Sequence, residues 1–222
     1  MMLLNPYRFA PSGGGGGSGD PYWANVAMLV KDGIDVVTPS RTISAIISES
    51  VGVFDTDGAI DLVLSNGSID WHTNQIFIGS QDFTLEMWIN PTVLLSTPWQ
   101  VLISTVGVSQ SFEIQVDNNY ARWVANGSVM ALTGLHGMVP NGSWYYLAAV
   151  RSAGLLTLRC HNGYGSGSDT AVYSAGGLSR PTLGISAMGG GNFDGYMDEI
   201  RLTLGVARDV SVIPTAPFPT GP

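Results

Sequence analysis

The chain has 222 residues, enough for one full core, with 29 glycines, 12 % charged residues and many aromatic and β-branched residues in its middle, a profile of strands joined by tight turns rather than of helices. A net charge of −8 with one lysine, Lys31, argues against a nucleic-acid or anionic-membrane surface. One cysteine, Cys160, excludes an internal disulfide framework, and no apolar run reaches the ~18 residues that a membrane-spanning helix needs.

Residues 1–19 read as an arm, MMLLNPYRFAPS followed by Gly13 to Gly17, Ser18 and Gly19. Polyglycine has the highest conformational entropy and no side chain to bury, so an ordered arm must be held by something else. Leu3, Leu4, Tyr7 and Phe9 are its anchors, either on a neighbouring subunit or folded back on their own domain. MMLLNPYRF is too short an apolar core for a secretory signal, so the expectation is a soluble chain made in a cytoplasm.

In DPYWANVAMLVKDG, Asp20 to Gly33, the residues Trp23, Val26, Met28 and Val30 predict a first strand. Short β-rich pieces follow between Ile34 and Val63: VVTP, ISAIIS, VGVFD and AIDLVL. In DFTLEMWINPT, Phe83, Leu85, Met87 and Ile89 alternate with Thr84, Glu86, Trp88 and Asn90, and Pro91 ends the ladder. Large apolar groups on both faces predict a central strand. WQVLISTV from Trp99, SFEIQVDNN from Ser111 and YARWVANGS from Tyr120 are further strands, the last two joined in a hairpin through Asp117, Asn118 and Asn119.

In NGSWYYLAAVRSAGLLTLRCHNG, Trp144, Tyr146, Ala148 and Val150 form one stripe. Ser152 to Gly154 supply a turn, Leu156, Leu158 and Cys160 return, and Asn162 and Gly163 turn again. Cys160 reads as a small buried thiol. After a glycine-serine loop, PTLGISAMGGGNFDGYMDEIRL supplies the last two strands. Strict alternation puts Tyr196, Asp198, Ile200, Leu202 and Leu204 on one face and Met197, Glu199, Arg201 and Thr203 on the other. If Ile200 is buried, Asp198 is buried with it and must be satisfied by backbone amides, an arginine or a metal, tying loops to the sheet. The tail from Pro214, with four prolines, should be extended and pack on a surface or a partner.

Three of these stretches carry a family resemblance. FDGYMDEIRL, with Phe193, Gly195, Tyr196, Met197, Asp198, Glu199, Ile200, Arg201 and Leu202, resembles the closing strand of laminin-G-like (concanavalin A-like) jelly rolls. DFTLEMWINPT resembles their central strand, and Trp144 to Gly163 their hairpin. The opening Asp-Pro-Tyr-Trp is similar to the start of such domains in tailed-bacteriophage virion proteins. The resemblance implies an all-β, antiparallel jelly-roll sandwich over residues 20–212, between the arm of 1–19 and an extended proline-rich tail of 213–222.

The chemistry legible in the sequence is sparse. Glycosidases of the related concanavalin-like class place carboxylates at alternate positions on one strand. Here Asp198 and Glu199 are adjacent and expected on opposite faces, so the expectation is no enzyme. His72, His136 and His161 lack ligand-spaced partners for zinc. Related domains often carry calcium at loop edges, which makes Asp55, Asp57, Asp61, Asp194 and Asp198 candidate donors, with Asp55 to Gly58 serving equally as a plain turn. Otherwise no cofactor is implied. A carbohydrate site needs exposed aromatic platforms. Trp71, Trp88 and Trp123 are the first candidates, with Trp99 and Tyr145 beside them and core packing as the alternative for each.

The resemblance and the arm together imply a structural virion protein of a tailed bacteriophage. Its most specific form is a capsid decoration or cementing protein, trimeric, its arm on the major capsid protein or another virion subunit, localised to the virion. The alternative is a carbohydrate-binding adhesion module of a tail fibre, spike or host-attachment protein, with a surface glycan as its partner.

Overall fold

The computed structural model describes residues 19–31, 34–37, 46–48, 52–54, 58–62, 69–70, 76–93, 99–106, 112–117, 120–125, 128–134, 143–162, 165–172, 178–183 and 191–222. Among them the strands are β1 (Val26–Lys31), β2 (Ile34–Asp35), β3 (Ile46–Ser48), β4 (Ala59–Asp61), β5 (Ile69–Asp70) and β6 (Ile76–Phe77). The middle supplies β7 (Phe83–Pro91), β8 (Gln100–Val106), β9 (Phe112–Val116), β10 (Tyr120–Ala125), β11 (Ser128–Gly134), β12 (Tyr145–Ser152) and β13 (Leu155–Asn162). The last are β14 (Gly165–Val172), β15 (Leu178–Leu183), β16 (Gly191–Asn192) and β17 (Gly195–Leu204).

They form two sheets packed face to face. The larger runs β14-β13-β12-β7-β17-β1-β2, with β4 beside β17 and β3 beside β4. The smaller runs β11-β10-β9-β8-β15-β5, with β16 parallel to β8 and β6 against β15. Alternation on each strand builds the core between them. Phe83, Leu85, Met87 and Ile89 of β7, Leu147 and Ala149 of β12, and Leu156, Leu158 and Cys160 of β13 meet Phe112, Ile114 and Val116 of β9 and Trp123 of β10. Trp123 stacks between Phe83 and Phe112, at centroid distances of 5.7 and 4.2 Å. Burial pushes the Cys160 thiol up to about 12, so it is a core group rather than a nucleophile.

As its two-sided apolar pattern requires, β7 is central, flanked by β12 and β17 and buried along its whole length. The β12–β13 hairpin turns at Ala153 and Gly154, both with positive φ (49° and 86°), the geometry of a tight two-residue hairpin turn. The stripe of Trp144, Tyr146, Ala148 and Val150 faces away from the sandwich interior and carries a second apolar layer.

Three elements differ from the sequence reading. Trp23 lies in a 3-10 turn, Trp23–Asn25, and the first strand begins at Val26. The glycine-serine stretch is β14, paired residue for residue with β13 from Asn162↔Gly165 to Leu155↔Val172: the ladder's hydrogen bonds need no apolar side chains. The end of the chain holds three strands, not two, because the short β16 precedes β17.

The largest difference is inside β17. Its register against β7 shifts between Asp198 and Arg201, and Glu199 at the shift has φ 49°, a β-bulge that inserts one residue and resets the alternation. Met197, Ile200 and Leu202 therefore share the inner core, while Asp198 and Arg201 point outward opposite Trp88 and Glu86. Asp198 is buried, but on the face opposite Ile200. Just before the bulge, Gly195 lies so close to β7 that a Cβ would sit 2.5 Å from the Asn90 carbonyl oxygen, which explains the glycine of the FDGY motif.

Candidate functional site

The outer face of the larger sheet is closed by the two ends of the described chain. Trp23 and Val36 to Val37 from one side, Val53 and Phe54, and Ala207, Val210, Ile213 and Phe218 from the tail cover Val26, Leu29, Trp88, Tyr146, Ala148 and Val150. Beneath this cover lies a buried charge network. Glu86 Oε2 accepts from Arg201 Nε (3.0 Å) and Nη2 (2.8 Å), and its Oε1 accepts from the Tyr146 hydroxyl (2.6 Å). Asp20 Oδ2 accepts from Arg201 Nη1 (3.1 Å) and Arg208 Nη2 (2.8 Å). Burial, then the Glu86 charge, hold the Tyr146 hydroxyl well above its usual range, so it stays a donor.

The tail is pinned into the same network. The Phe218 amide donates to Glu199 Oε2 (2.7 Å), the Arg201 guanidinium lies 3.7 Å over the Phe218 ring, and the Asp20 amide donates to the Gly221 carbonyl (2.8 Å). Lys31 Nζ sits 3.0 Å from Glu199 Oε1. Burial nevertheless pushes the Glu199 carboxyl up to about 7, with Lys31 and the Phe218 amide opposing the rise. Asp198 and Glu199 thus both reach this outer layer, because the bulge removes the alternation that would have separated them. Asp198 Oδ2 accepts from Val53 N (3.2 Å) and Oδ1 from Glu199 N (2.7 Å), so backbone amides satisfy it and it ties the 52–54 segment to the sheet.

The outer face of the smaller sheet is different in kind. On β9 and β10, with Ile114, Val116, Ala121 and Trp123 turned inward, Glu113, Gln115, Tyr120 and Arg122 turn outward. Val116 pairs with Gln100 on one side and Ala121 on the other, which sets Trp99, Asp117 and Tyr120 side by side at one end of three adjacent strands, a width of about 10 Å. The Arg122 side chain crosses β9: its Nε donates to Gln115 Oε1 (2.6 Å), and its guanidinium carbon lies 3.6 Å from the centre of the Trp99 ring. Gln115 Nε2 in turn donates to Glu113 Oε2. Tyr120 is 43 % exposed, Trp99 and Arg122 are half-buried, and Glu113 and Gln115 are buried, so Tyr120 opens the Trp99 end of this face, as Val129 opens the other. An exposed tyrosine on the same strand face as a guanidinium held against an indole is an arrangement that can stack on a sugar ring and donate to its oxygens.

The residues proposed from sequence distribute as follows. Trp88 is 7 % exposed and lies under Phe54 and against Tyr146; Trp123 is 0 % exposed and Tyr145 is buried in the core. None of the three is open to stack on a sugar, because a sandwich with both faces of one sheet covered spends its largest aromatic groups on packing. Asp198 accepts from the Val53 and Glu199 amides, and among the described residues no group of three or more His, Cys, Asp or Glu side chains is placed to bind a metal. Asp194 is engaged by the Thr92 hydroxyl, and Asp61 is buried beside β17. Leu3, Leu4, Tyr7, Phe9, Asp55, Asp57, Trp71, His72 and His136 lie outside the described residues. His161 is buried beside Tyr146, and burial lowers its pKa. Sequence reading named Trp99 and missed Arg122 and Tyr120. Their signal was available: in YARWVA the residues alternating with Ala121 and Trp123 must share a face with the polar side of FEIQV.

The family follows from this architecture. Residues 64–206, well over half the chain, match the family model of the concanavalin A-like lectin/glucanases superfamily (Laminin_G_3), and the chain belongs to it. Asp20, Arg208 and Phe218, which close the larger sheet, lie outside the matched span. No curated protein matches the sequence. Among solved structures, the chain is similar to domain 4 of AbnA, an extracellular arabinanase of Geobacillus stearothermophilus solved in complex with arabinotriose: 16 % identity, TM-score 0.52, covering 82 % of this chain and 94 % of that one. The receptor-binding domain of botulinum neurotoxin mosaic serotype C/D shares 10 % identity at TM-score 0.55, covering 82 % of this chain and 48 % of that one. The enzymatically active domain of bacteriophage CBA120 tailspike protein 2 shares 12 % identity at TM-score 0.50, covering 75 % and 28 %. At these identities the likeness is one of fold.

Proposed function

We propose that this chain is a carbohydrate-binding adhesion module whose ligand face is the Trp99–Tyr120 end of the smaller sheet. The observation that carries the reading is the exposed Tyr120 ring on the same strand face as Arg122, itself fixed by Gln115 and the Trp99 indole. Stacking of a sugar on an aromatic face, with hydrogen bonds from a positioned donor at its edge, is how protein surfaces hold polar rings in water. The similarity to an arabinanase domain solved with arabinotriose and to a neurotoxin receptor-binding domain supports a binding or adhesion role on this fold.

The role is binding without catalysis. The adjacent carboxyl groups Asp198 and Glu199 are engaged by amides and by Lys31, and Glu86 and Asp20 by arginines, so these four tie chain segments together beneath the covered face rather than stand as an acid and nucleophile across a cleft. A capsid-decorating trimer docked through Leu3, Leu4, Tyr7 and Phe9 draws no support from the similar structures, and the adhesion reading replaces it. The test is a glycan panel probed with the wild-type chain and Tyr120→Ala, with and without calcium. Retention of at least one glycan by the wild type and its loss in the variant is expected. A wild-type chain that holds nothing on the panel would remove the reading.

A further inference from the structure

Three of the described arginines are held by carboxylates. Arg151, Arg201 and Arg208 each lie within 3.6 Å of a carboxylate: Asp82 for the first, Glu86 and Asp20 for the second, Asp20 for the third. Arg122 contacts a neutral amide oxygen and an indole face instead. The two acids nearest in charge, Asp117 and Glu113, have other hydrogen-bond partners: Asp117 Oδ1 accepts the Tyr120 amide, and Glu113 Oε2 accepts from Gln115. Burial is the largest influence on Arg122 and lowers its pKa, with the charges of Asp117 and Glu113 opposing it, and among the described residues no carboxylate is in salt-bridge contact with the guanidinium.

The geometry of that side chain is also set in advance. With Nε on Gln115 and the guanidinium carbon 3.6 Å from the centre of the Trp99 ring, rotation about the last side-chain bonds is restrained, and the guanidinium keeps its two terminal Nη groups as a planar fork on the strand face that also carries Tyr120. A planar fork matches a carboxylate, two parallel N–H···O bonds to its two oxygens, better than it matches a single hydroxyl.

Resting on the glycan-binding reading, we propose that the Arg122 fork makes this site selective for acidic sugars, uronic or sialic acid residues. The sugar carboxylate lies on Nη1 and Nη2 and the sugar ring on Tyr120. Trp99 and Gln115 are positioning residues that hold the fork. Asp117 and Glu113 keep the local field from becoming strongly positive, so the discrimination comes from the bidentate contact rather than from bulk charge. It should therefore persist at physiological salt.

The experiment is calorimetric titration of the whole chain with two acidic probes and their neutral counterparts: trigalacturonic acid against its methyl ester, and sialyllactose against lactose. At least one acid should bind about tenfold more tightly than its neutral partner, the value of one charge-assisted bidentate pair. Arg122→Gln should collapse that ratio to near one, because it lowers the affinity for the acid about tenfold more than the affinity for its neutral partner. Arg122→Lys, which keeps the charge but not the fork, should recover only a minor part of the ratio. Thermal melts of both variants establish that they fold. Equal affinity for acid and neutral partner, binding of neutral glycans with neither acid held, or a ratio that survives Arg122→Gln would each overturn the proposal while leaving glycan binding standing. Failure to bind any glycan, acidic or neutral, would remove the glycan-binding reading and this one with it.

Discussion

The two outer faces of the sandwich use arginine in opposite ways. On the larger sheet, Arg201 and Arg208 are buried against Glu86 and Asp20, their charges matched, and the tail is laid over them with Phe218 on the Arg201 guanidinium. On the smaller sheet, Arg122 is equally well held but by neutral groups, at an end of the face where Tyr120 is exposed. The first arrangement joins pieces of chain that are 115 to 188 residues apart in sequence and spends its donors on carboxylates beneath a covered face. The second holds a half-buried guanidinium on an amide oxygen and an indole. The comparison shows that similar outward arginines take different partners in this molecule: carboxylates for Arg201, an indole and an amide for Arg122.

The contrast can be broken from the closed side first. Glu86→Ala leaves Arg201 and the Tyr146 hydroxyl without their acceptor in a buried layer, and removing one partner of a buried pair costs about 3–5 kcal/mol. Urea unfolding should show that loss, whereas glycan affinity of the folded fraction should be unchanged. Next in size, Phe218→Ala removes a buried ring and its cation–π contact for about 3 kcal/mol, and should loosen the tail to proteolysis before the rest of the chain unfolds.

The closed side should also respond to pH. The Glu199 carboxyl is raised from its ordinary 4.5 to about 7 by burial, so the folded state holds its proton more tightly than the unfolded chain. Its contribution is complete below about pH 4.5 and is lost as pH rises through about 7, a change of ~3 kcal/mol at most. Glu199→Gln should flatten the stability profile across that window; an unchanged slope would show that another group sets it. On the open side the stability effects are the smallest. Tyr120→Ala should shift stability by no more than about 0.5 kcal/mol, the usual range for an exposed position, while abolishing glycan retention. A variant that lost both would place Tyr120 in the scaffold instead.

The alternating FTLEMWIN of β7, the hairpin turn at Ala153 and Gly154 and the strand–turn–strand of β9 and β10 were all legible in the sequence, because period-two burial and turn chemistry are local properties. So was the glycine of FDGY, although only the approach of β7 to within 2.5 Å of a Cβ at Gly195 explains it. The β14 strand was hidden because its pairing to β13 is made by backbone groups and GSGSDTAV carries no apolar period to announce it. Trp88 and Trp123 could not be assigned to core or platform from spacing, since both alternatives place a large ring at the same positions.

What the sequence by itself determined, then, was the class of fold and the residues whose neighbours are near in the chain. Tertiary structure alone decided the bulge at Glu199, which moves Asp198 to the face opposite Ile200, and the layer of chain that covers Trp88 and Tyr146. It also decided the partners of the arginines. Arg122 and Arg201 are both the outward residues of amphipathic strands, and nothing local distinguishes them. One meets carboxylates brought from residues 86 and 20, the other an indole and an amide, because burial and charge pairing are set by what long-range strand order places beside a side chain.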